Sequence, residues 1–440
     1  MNTFTDKEWG DGTDSPELFN PTDFDAEQWA QVIKNAGMRG IILTCKHHDG
    51  FCLWQSEFTD YSVKNSPFRE GKGDVVREVA DACRKHGLKF GVYVSPWDRH
   101  EKTYGTGNAY NTYFKNQLKE LLTGYGELFC VWFDGACGEG ANGKKQEYDW
   151  QGYYSLIRKY QPNAVISISG PDVRWCGNEA GFCRKSEWSV IPSFYCSNLY
   201  TAEHSQKKDG KAPDKKEMVL DMGSRKAIKG ETDFIWYPAE VDVSIRPGWF
   251  YHESEDFKVK NPDKLVEIYL NSVGANANLL LNIPPDRTGK INSFDSLALD
   301  SFKQRLSKQF EFLKSENAHA FATSELDSLH QAKNTLDDTE SFWQCAEDDE
   351  FPEIIFDLGS NVAFDKVVLQ ENIATGQQIE EFKLYYDKNG KWKRLFKSTV
   401  IGHKRICCFK AVSSPKIKLQ ITSCRGKATL RSVKVYLSRS

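Results

Sequence analysis

The sequence predicts an α/β domain on a parallel, barrel-like sheet, followed by an antiparallel β-sandwich. Apolar, β-branched segments alternate with amphipathic helical ones at least four times before Gly170, the pattern of βαβ units. Polar and aromatic residues gather where those strands end, which favours a barrel with its site on that rim. Past Glu316 the texture changes to short period-2 strands with turn residues between them, the texture of a sandwich. A chain of 440 residues also exceeds the usual single core, so two domains are expected, 1–318 and 319–440.

Taken in order, the first twenty residues are polar and turn-rich. Asp25–Ala36 has helical spacing, with Trp29, Val32 and Ile33 on one face and Gly37 as its stop. Gly40–Thr44 reads as a short strand running into Lys46-His47-His48-Asp49-Gly50-Phe51. The helix Asp74–His86 ends at Gly87, and the strand Lys89–Val94 leads to Ser95-Pro96-Trp97-Asp98. Tyr110–Leu122 is helical. Leu128–Phe133 is an unbroken apolar run, too short for a typical helix and suited to a strand covered on both faces. Gln151–Tyr160 reads as a helix and Ala164–Ser169 as a strand. From Gly170 to Gly248 the pattern loosens into long loops carrying Trp175, Trp188 and Trp236, and loops of that length are usually functional. Order returns with the helix Pro262–Gly274, the strand Asn278–Ile283 and the helix Ser296–Ser315. Short strands come next at Glu353–Leu358, Phe364–Gln370, Glu381–Tyr386, Lys404–Phe409 and Pro415–Thr422.

Composition narrows the function. The net charge is -3 with both signs interspersed, which argues against a nucleic-acid or polyanion binder. No apolar run reaches 18 residues, so no membrane helix is expected. Aromatic residues make up 13% of the chain, with 12 Trp, and such an excess marks either a large core or stacking platforms for flat apolar faces such as sugar rings. The 12 Cys lack metal-like spacing and read as free thiols acting as small hydrophobes. No cofactor or metal site is readable.

Asp134 closes the most buried strand, where α/β folds place their chemistry; it reads either as catalytic or as a cap for the next helix. His47 and His48, at a strand exit, can both reach one pocket and suit hydrogen bonding to a polyhydroxylated ligand better than metal ligation. A glycosidase needs two carboxylates. Besides Asp134, Glu179 comes after a strand among aromatic neighbours, and Glu240 lies in Trp236-Tyr237-Pro238-Ala239-Glu240-Val241-Asp242.

Five blocks in order, KHHDGF (Lys46–Phe51), VWFDG (Val131–Gly135), RWCGNEAG (Arg174–Gly181), DVSIRPGWFY (Asp242–Tyr251) and LLLNIPPDRTGKI (Leu279–Ile291), together resemble the α-L-fucosidases of glycoside hydrolase family 29. The likeness spans about residues 1–315. It implies a (β/α)8-like barrel with a β-sandwich behind it, and retaining hydrolysis of a fucosylated oligosaccharide. The GNE block resembles the subfamily restricted to α-1,3/1,4-linked fucose. Carried over residue by residue, the resemblance makes Asp134 the nucleophile and Glu179 the acid/base, with Glu240 as the alternative acid/base. His47, His48 and Trp54 match residues that hold fucose, Trp132 flanks the nucleophile, and Glu8, Trp97 and Trp249 are candidates for the pocket wall. Residues 320–440 resemble a discoidin-type sandwich, through IIFDLGS, a GQQI turn and a final SVKVYL strand; bracing of the barrel is the expected role. Family members carry a first barrel strand ending in His-Phe-Gly just before the Asn-Thr-Phe that is here Asn2–Phe4, so a further strand is expected upstream. A non-catalytic or degenerate carbohydrate-binding protein keeping the same pocket is the alternative function.

Overall fold

The computed structural model describes residues 1–198, 219–337 and 339–439. A helical turn, α1 (Asn2–Thr5), precedes the first βα units. Then come α2 (Ala26–Asn35), β1 (Gly40–Lys46), α3 (Val75–His86), β2 (Lys89–Val94), α4 (Asn108–Gly124), β3 (Cys130–Phe133), α5 (Trp150–Tyr160) and β4 (Val165–Ile168). The helices start where the sequence supplies caps. Asp25 accepts from Gln28 N at 3.0 Å and Asp74 from Arg77 N at 2.8 Å, each satisfying an otherwise unpaired first-turn amide. Gly87 ends α3 in the left-handed region, φ 69°, where a side chain would be strained.

The four strands form one parallel sheet in the order β1-β2-β3-β4, with Tyr93 opposite Trp132 and Trp132 opposite Ser167. A second parallel sheet holds β5 (Arg174–Trp175), β8 (Ala239–Ser244) and β9 (Asn278–Asn282), between which lies the antiparallel pair β6 (Val190–Pro192) and β7 (Phe234–Trp236). The inner faces of the two parallel sheets meet: Tyr93, Cys130, Trp132 and Ile168 of the first pack with Trp175 and Leu280 of the second. The pleat decides this. Along β3, Val131 and Phe133 enter the core shared with the helices, while Cys130 and Trp132, and therefore Asp134 beyond them, face inward. Helices α6 (Pro262–Asn271) and α7 (Ser293–Gln309) cover the second sheet through Leu265, Ile268, Leu299 and Phe302.

The stretch 170–248, expected as loops, lies partly outside the described residues. Where described, it contains the strand β8, in which Glu240, Asp242 and Ser244 alternate with Val241 and Val243 in the period of a strand, with the polar set on the buried inner side.

The C-terminal part comprises β10 (Phe312–Leu313), β11 (His319–Ala322), β12 (Trp343–Gln344), β13 (Glu353–Gln370), β14 (Ile379–Lys388), β15 (Lys391–Ser398), β16 (Arg405–Cys424), β17 (Thr429–Leu430) and β18 (Ser432–Leu437). Its ladders are antiparallel, and Ile354, Phe356, Val367, Leu384, Leu419 and Val435 fill its core. The expected strands 353–358 and 364–370 are one bent strand, with the register shifting between Asp357 and Val362. Likewise 404–409 and 415–422 join as β16. Among the described residues no helix is long and apolar enough to cross a membrane. All the cysteines are free thiols.

Candidate active site

Asp134 leaves β3 on its inward face, and two donors fix its carboxylate. Tyr93 Oη donates to Oδ2 at 2.6 Å and Ala136 N to Oδ1 at 2.8 Å. The side chain is still 22% exposed, so a ligand can reach it. Tyr93 is itself held by stacking on Trp132, centroids 5.1 Å apart.

His47 and His48 come directly after β1, with ring centroids 4.0 Å apart. Their hydrogen bonds assign their tautomers. The Asn2 side-chain oxygen accepts from Gly10 N at 3.2 Å, and its nitrogen donates to Glu8 O at 3.3 Å, so the amide's orientation is fixed. That nitrogen also lies 3.2 Å from His47 Nδ1, which must then accept. The remaining nitrogen, Nε2, carries the proton. Burial, with His48 adding to it, holds His47 well below the ordinary imidazole pKa, so it is a neutral donor. Ser95 Oγ spends its proton on Trp97 O at 2.8 Å and so accepts from His48 Nδ1 at 2.7 Å. His48 Nε2 then faces Asp134 Oδ2 at 3.8 Å, longer than a direct hydrogen bond and short enough for one hydroxyl to touch both. His47, His48 and Asp134 bring ligand-type atoms within 4.8 Å of one another, the spacing of a metal cluster. The donor set fits a metal poorly: His47 has one nitrogen accepting from an amide and the other protonated. It fits a polyol, which needs donors and acceptors side by side.

Aromatic rings wall the pocket. Trp97 packs on His48 at 4.8 Å, Trp9 meets His48 edge-on at 5.1 Å and Trp97 at 5.7 Å, and Phe250 meets His47 at 4.9 Å. Beneath them Lys46 is fully buried, its ammonium paired with Asp98 at 2.9 Å and Gln117 at 3.0 Å, which anchors the exit of β1.

The second sheet contributes three carboxylates. Glu240, 2% exposed, accepts from Trp132 Nε1 at 2.7 Å and from Asn278 Nδ2 at 2.8 Å; burial raises its pKa against both donors. Asp242 accepts from Trp175 Nε1 at 2.7 Å, and its carboxyl is pushed well above the usual range, first by burial and next by the charge of Glu179. Glu179 itself is exposed, in the loop beyond β5.

The α-L-fucosidase family model matches residues 2–311. The chain belongs to the α-L-fucosidase family. Alpha-L-fucosidase 1 of Arabidopsis thaliana is 40% identical over 100% of this chain and 83% of its own. The crystal structure of a Bacteroides ovatus protein shares 43% identity and a TM-score of 0.85, covering 100% of this chain and 71% of that one. A Ruminococcus gnavus family 29 fucosidase in complex with fucose shares 30% identity and a TM-score of 0.86, covering 100% of this chain and 91% of that one. Residues 319–433 match the F5/8 type C domain. The enzyme is an α-L-fucosidase, a glycoside hydrolase of family 29.

Within this fucosidase the expected site residues divide. Asp134, His47, His48, Trp97 and Trp132 converge as described. Trp54 does not join them. It is 1% exposed in the core beneath the helices, and its indole donates to Glu120 of α4 at 2.8 Å. Its placement has a local cause: the chain turns back after Phe51, with Cys52 bonding Tyr61 and Leu53 bonding Cys45, so Trp54 faces α4. Glu8 is a backbone clamp. Its carboxylate accepts from Trp249 N and from Phe250 N, and meets His252 Nε2 at 3.4 Å. Trp249 is half-buried with its carbonyl held by Asn282 at 2.8 Å. Gly248 lies close against Glu8: an added Cβ would lie 2.4 Å from its carboxylate and would push that side chain from its place. Sequence reasoning does not single out Asn2, Trp9, Tyr93, Phe250 or Asp242. For Tyr93 a signal exists: it occupies the same inward parity as Trp132 one strand away.

Proposed function

We propose that the enzyme is a retaining exo-α-L-fucosidase that releases α-1,3/1,4-linked fucose from oligosaccharides or glycoconjugates. The observation that carries this reading is the Asp134 carboxylate, oriented by Tyr93 and Ala136 and open to a pocket whose imidazoles offer both a donor and an acceptor. Asp134 attacks the anomeric carbon while Glu179 protonates the departing oxygen and then deprotonates the incoming water, the double displacement of two carboxylates about 5–5.5 Å apart. Burial supports Glu179 over Glu240 as acid/base. Glu240 is shut beneath Trp132 with both oxygens occupied, whereas a general acid must reach the leaving group. Fucose has an apolar methyl and one largely apolar ring face, which suit Trp9, Trp97 and Phe250. Its hydroxyls suit His47 and His48. Sites that bond a hydroxyl reject sugars lacking it.

The linkage preference rests on the GNE block at Gly177–Glu179. The test tracks a Lewis-type trisaccharide by NMR. α-Fucose as the first-formed anomer and faster turnover of α-1,3/1,4 than of α-1,2 linkages are expected. β-Fucose first would refute retention, and equal turnover of the linkages would refute the subfamily.

A further inference from the structure

The loop that carries Glu179 is gripped from outside the barrel. It leaves β5 at Trp175 and returns at Trp188, and Glu187 closes its base: the carboxylate pairs with Arg174 and accepts from Arg184 N at 2.9 Å. Arg184 then donates to Cys176 O at 2.7 Å, and Asn178 spans the tip, donating to Phe182 O and accepting from Ala180 N, each at 2.9 Å. This turn is fastened from two sides: Cys183 N donates to Asn271 O at the end of α6 at 3.1 Å, and the sandwich holds the returning stretch 185–189. Gln377 accepts from Ser189 N at 2.7 Å and donates to Glu187 O at 3.4 Å. Arg405 Nη2 donates to Lys185 O at 2.7 Å, while its Nε holds Val400 O at 3.0 Å. Thr399 Oγ1 meets Ser186 Oγ. Asn276, after α6, completes the grip, donating to Glu187 O at 2.8 Å and accepting from His403 N at 2.7 Å.

The sandwich side of this grip is one piece. Glu371 is buried and accepts from Gln378 N, Ile379 N and Gly402 N, tying the turn that holds Gln377 to the turn leading to Arg405. Gln377 and Arg405 are themselves 2% and 7% exposed. Long polar side chains are rarely buried unless a specific bond requires it.

We propose that the C-terminal sandwich positions the acid/base, with Gln377 and Arg405 as positioning residues that set the height of the Glu179 loop over the pocket. The inference rests on Glu179 being the acid/base. The polar groups assigned to fucose, His47, His48 and Asp134, leave β1 and β3 of the first sheet, and the rings Trp9 and Phe250 stand beside them on segments outside the gripped loop, so disturbing the grip should impair proton transfer while leaving the sugar's binding groups in place. A displacement near 1 Å costs roughly 100-fold when a reacting group is involved.

The experiment compares Gln377→Leu, Arg405→Lys and Thr399→Ala with the parent on a Lewis-type trisaccharide and on fucosyl fluoride, whose leaving group needs little protonation. Glu179→Ala, with and without azide, is the reference. The expected result for Gln377→Leu and Arg405→Lys is a kcat lower by about 10–100-fold on the trisaccharide, with KM within about 2-fold and less than about 3-fold loss on the fluoride. The basic limb of their pH profile should also move. Thr399→Ala, a half-buried and mild change, should show the same signature in smaller degree and carries the test if the buried variants fail to fold. Equal losses on both substrates, or none, would overturn the positioning role even where Glu179→Ala shows the leaving-group signature and azide recovery. A Glu179→Ala enzyme without that signature would overturn the acid/base reading and this inference with it.

Discussion

Asp134 is held by a phenol on one oxygen and a backbone amide on the other, and each contact has a measurable consequence. A hydrogen bond to a charged group contributes about 1.5–3 kcal/mol. Tyr93→Phe should therefore lower kcat/KM by roughly 10-fold or more, since each 1.36 kcal/mol is tenfold in rate; unaltered kinetics would mean that the amide alone orients the carboxylate. His47→Ala should chiefly raise KM, the result expected of a neutral Nε2–H that the proposed reading gives to a sugar hydroxyl, and an unchanged KM would remove it from the binding groups. Trp54→Phe separates packing from binding. It removes the donor to Glu120 and should lower the melting temperature by a few degrees with KM unchanged, whereas a rise in KM would return Trp54 to the pocket. At this scale Asp134, His47 and His48 were legible because strand exits mark the rim. Asn2 was not, because nothing local says that an amide will fix a tautomer, and Tyr93 was marked only by its inward parity, which does not say that it will stack on Trp132.

Two elements frame the pocket. The first is β8, whose inward residues are two carboxylates and a serine. Their burial opposite Trp132 and Trp175 is a tertiary fact that strand propensity cannot anticipate. The second is the clasp between the segment after α1 and residues 248–252. His252 bonds Asp6 at 2.7 Å and meets Glu8 at 3.4 Å. Burial would lower its pKa, but the bonds to Asp6 and Glu8 prevail and raise it. A raised imidazole pKa means that the protonated form is favoured in the folded state. Its stabilisation is complete below the unfolded value, about 6.5, and is lost as pH rises through the raised folded value. The clasp should therefore loosen as pH rises above about 6.5 and through the raised folded value. Hydrogen exchange at 248–252 should increase there in the parent enzyme, and His252→Gln should abolish that pH dependence. A parent enzyme with pH-independent protection would contradict the assignment.

At the scale of the whole molecule, the alternation of strands and helices and the change of texture after Glu316 made both architectures readable. How they interlock was not readable, since Gln377 and Arg405 carry no sequence mark of their distant partners Ser189 and Lys185. Such interlocking should make unfolding one cooperative event, and two well-separated calorimetric transitions would contradict it. In the proposed mechanism Asp134 forms the bond to fucose. This step is tested most directly by trapping the enzyme with a 2-fluoro-fucosyl fluoride and mapping the adduct by peptide mass analysis. A fucosyl adduct on Asp134, absent in Asp134→Asn, is the expected result. An adduct on Glu179 or Glu240 instead would contradict the account.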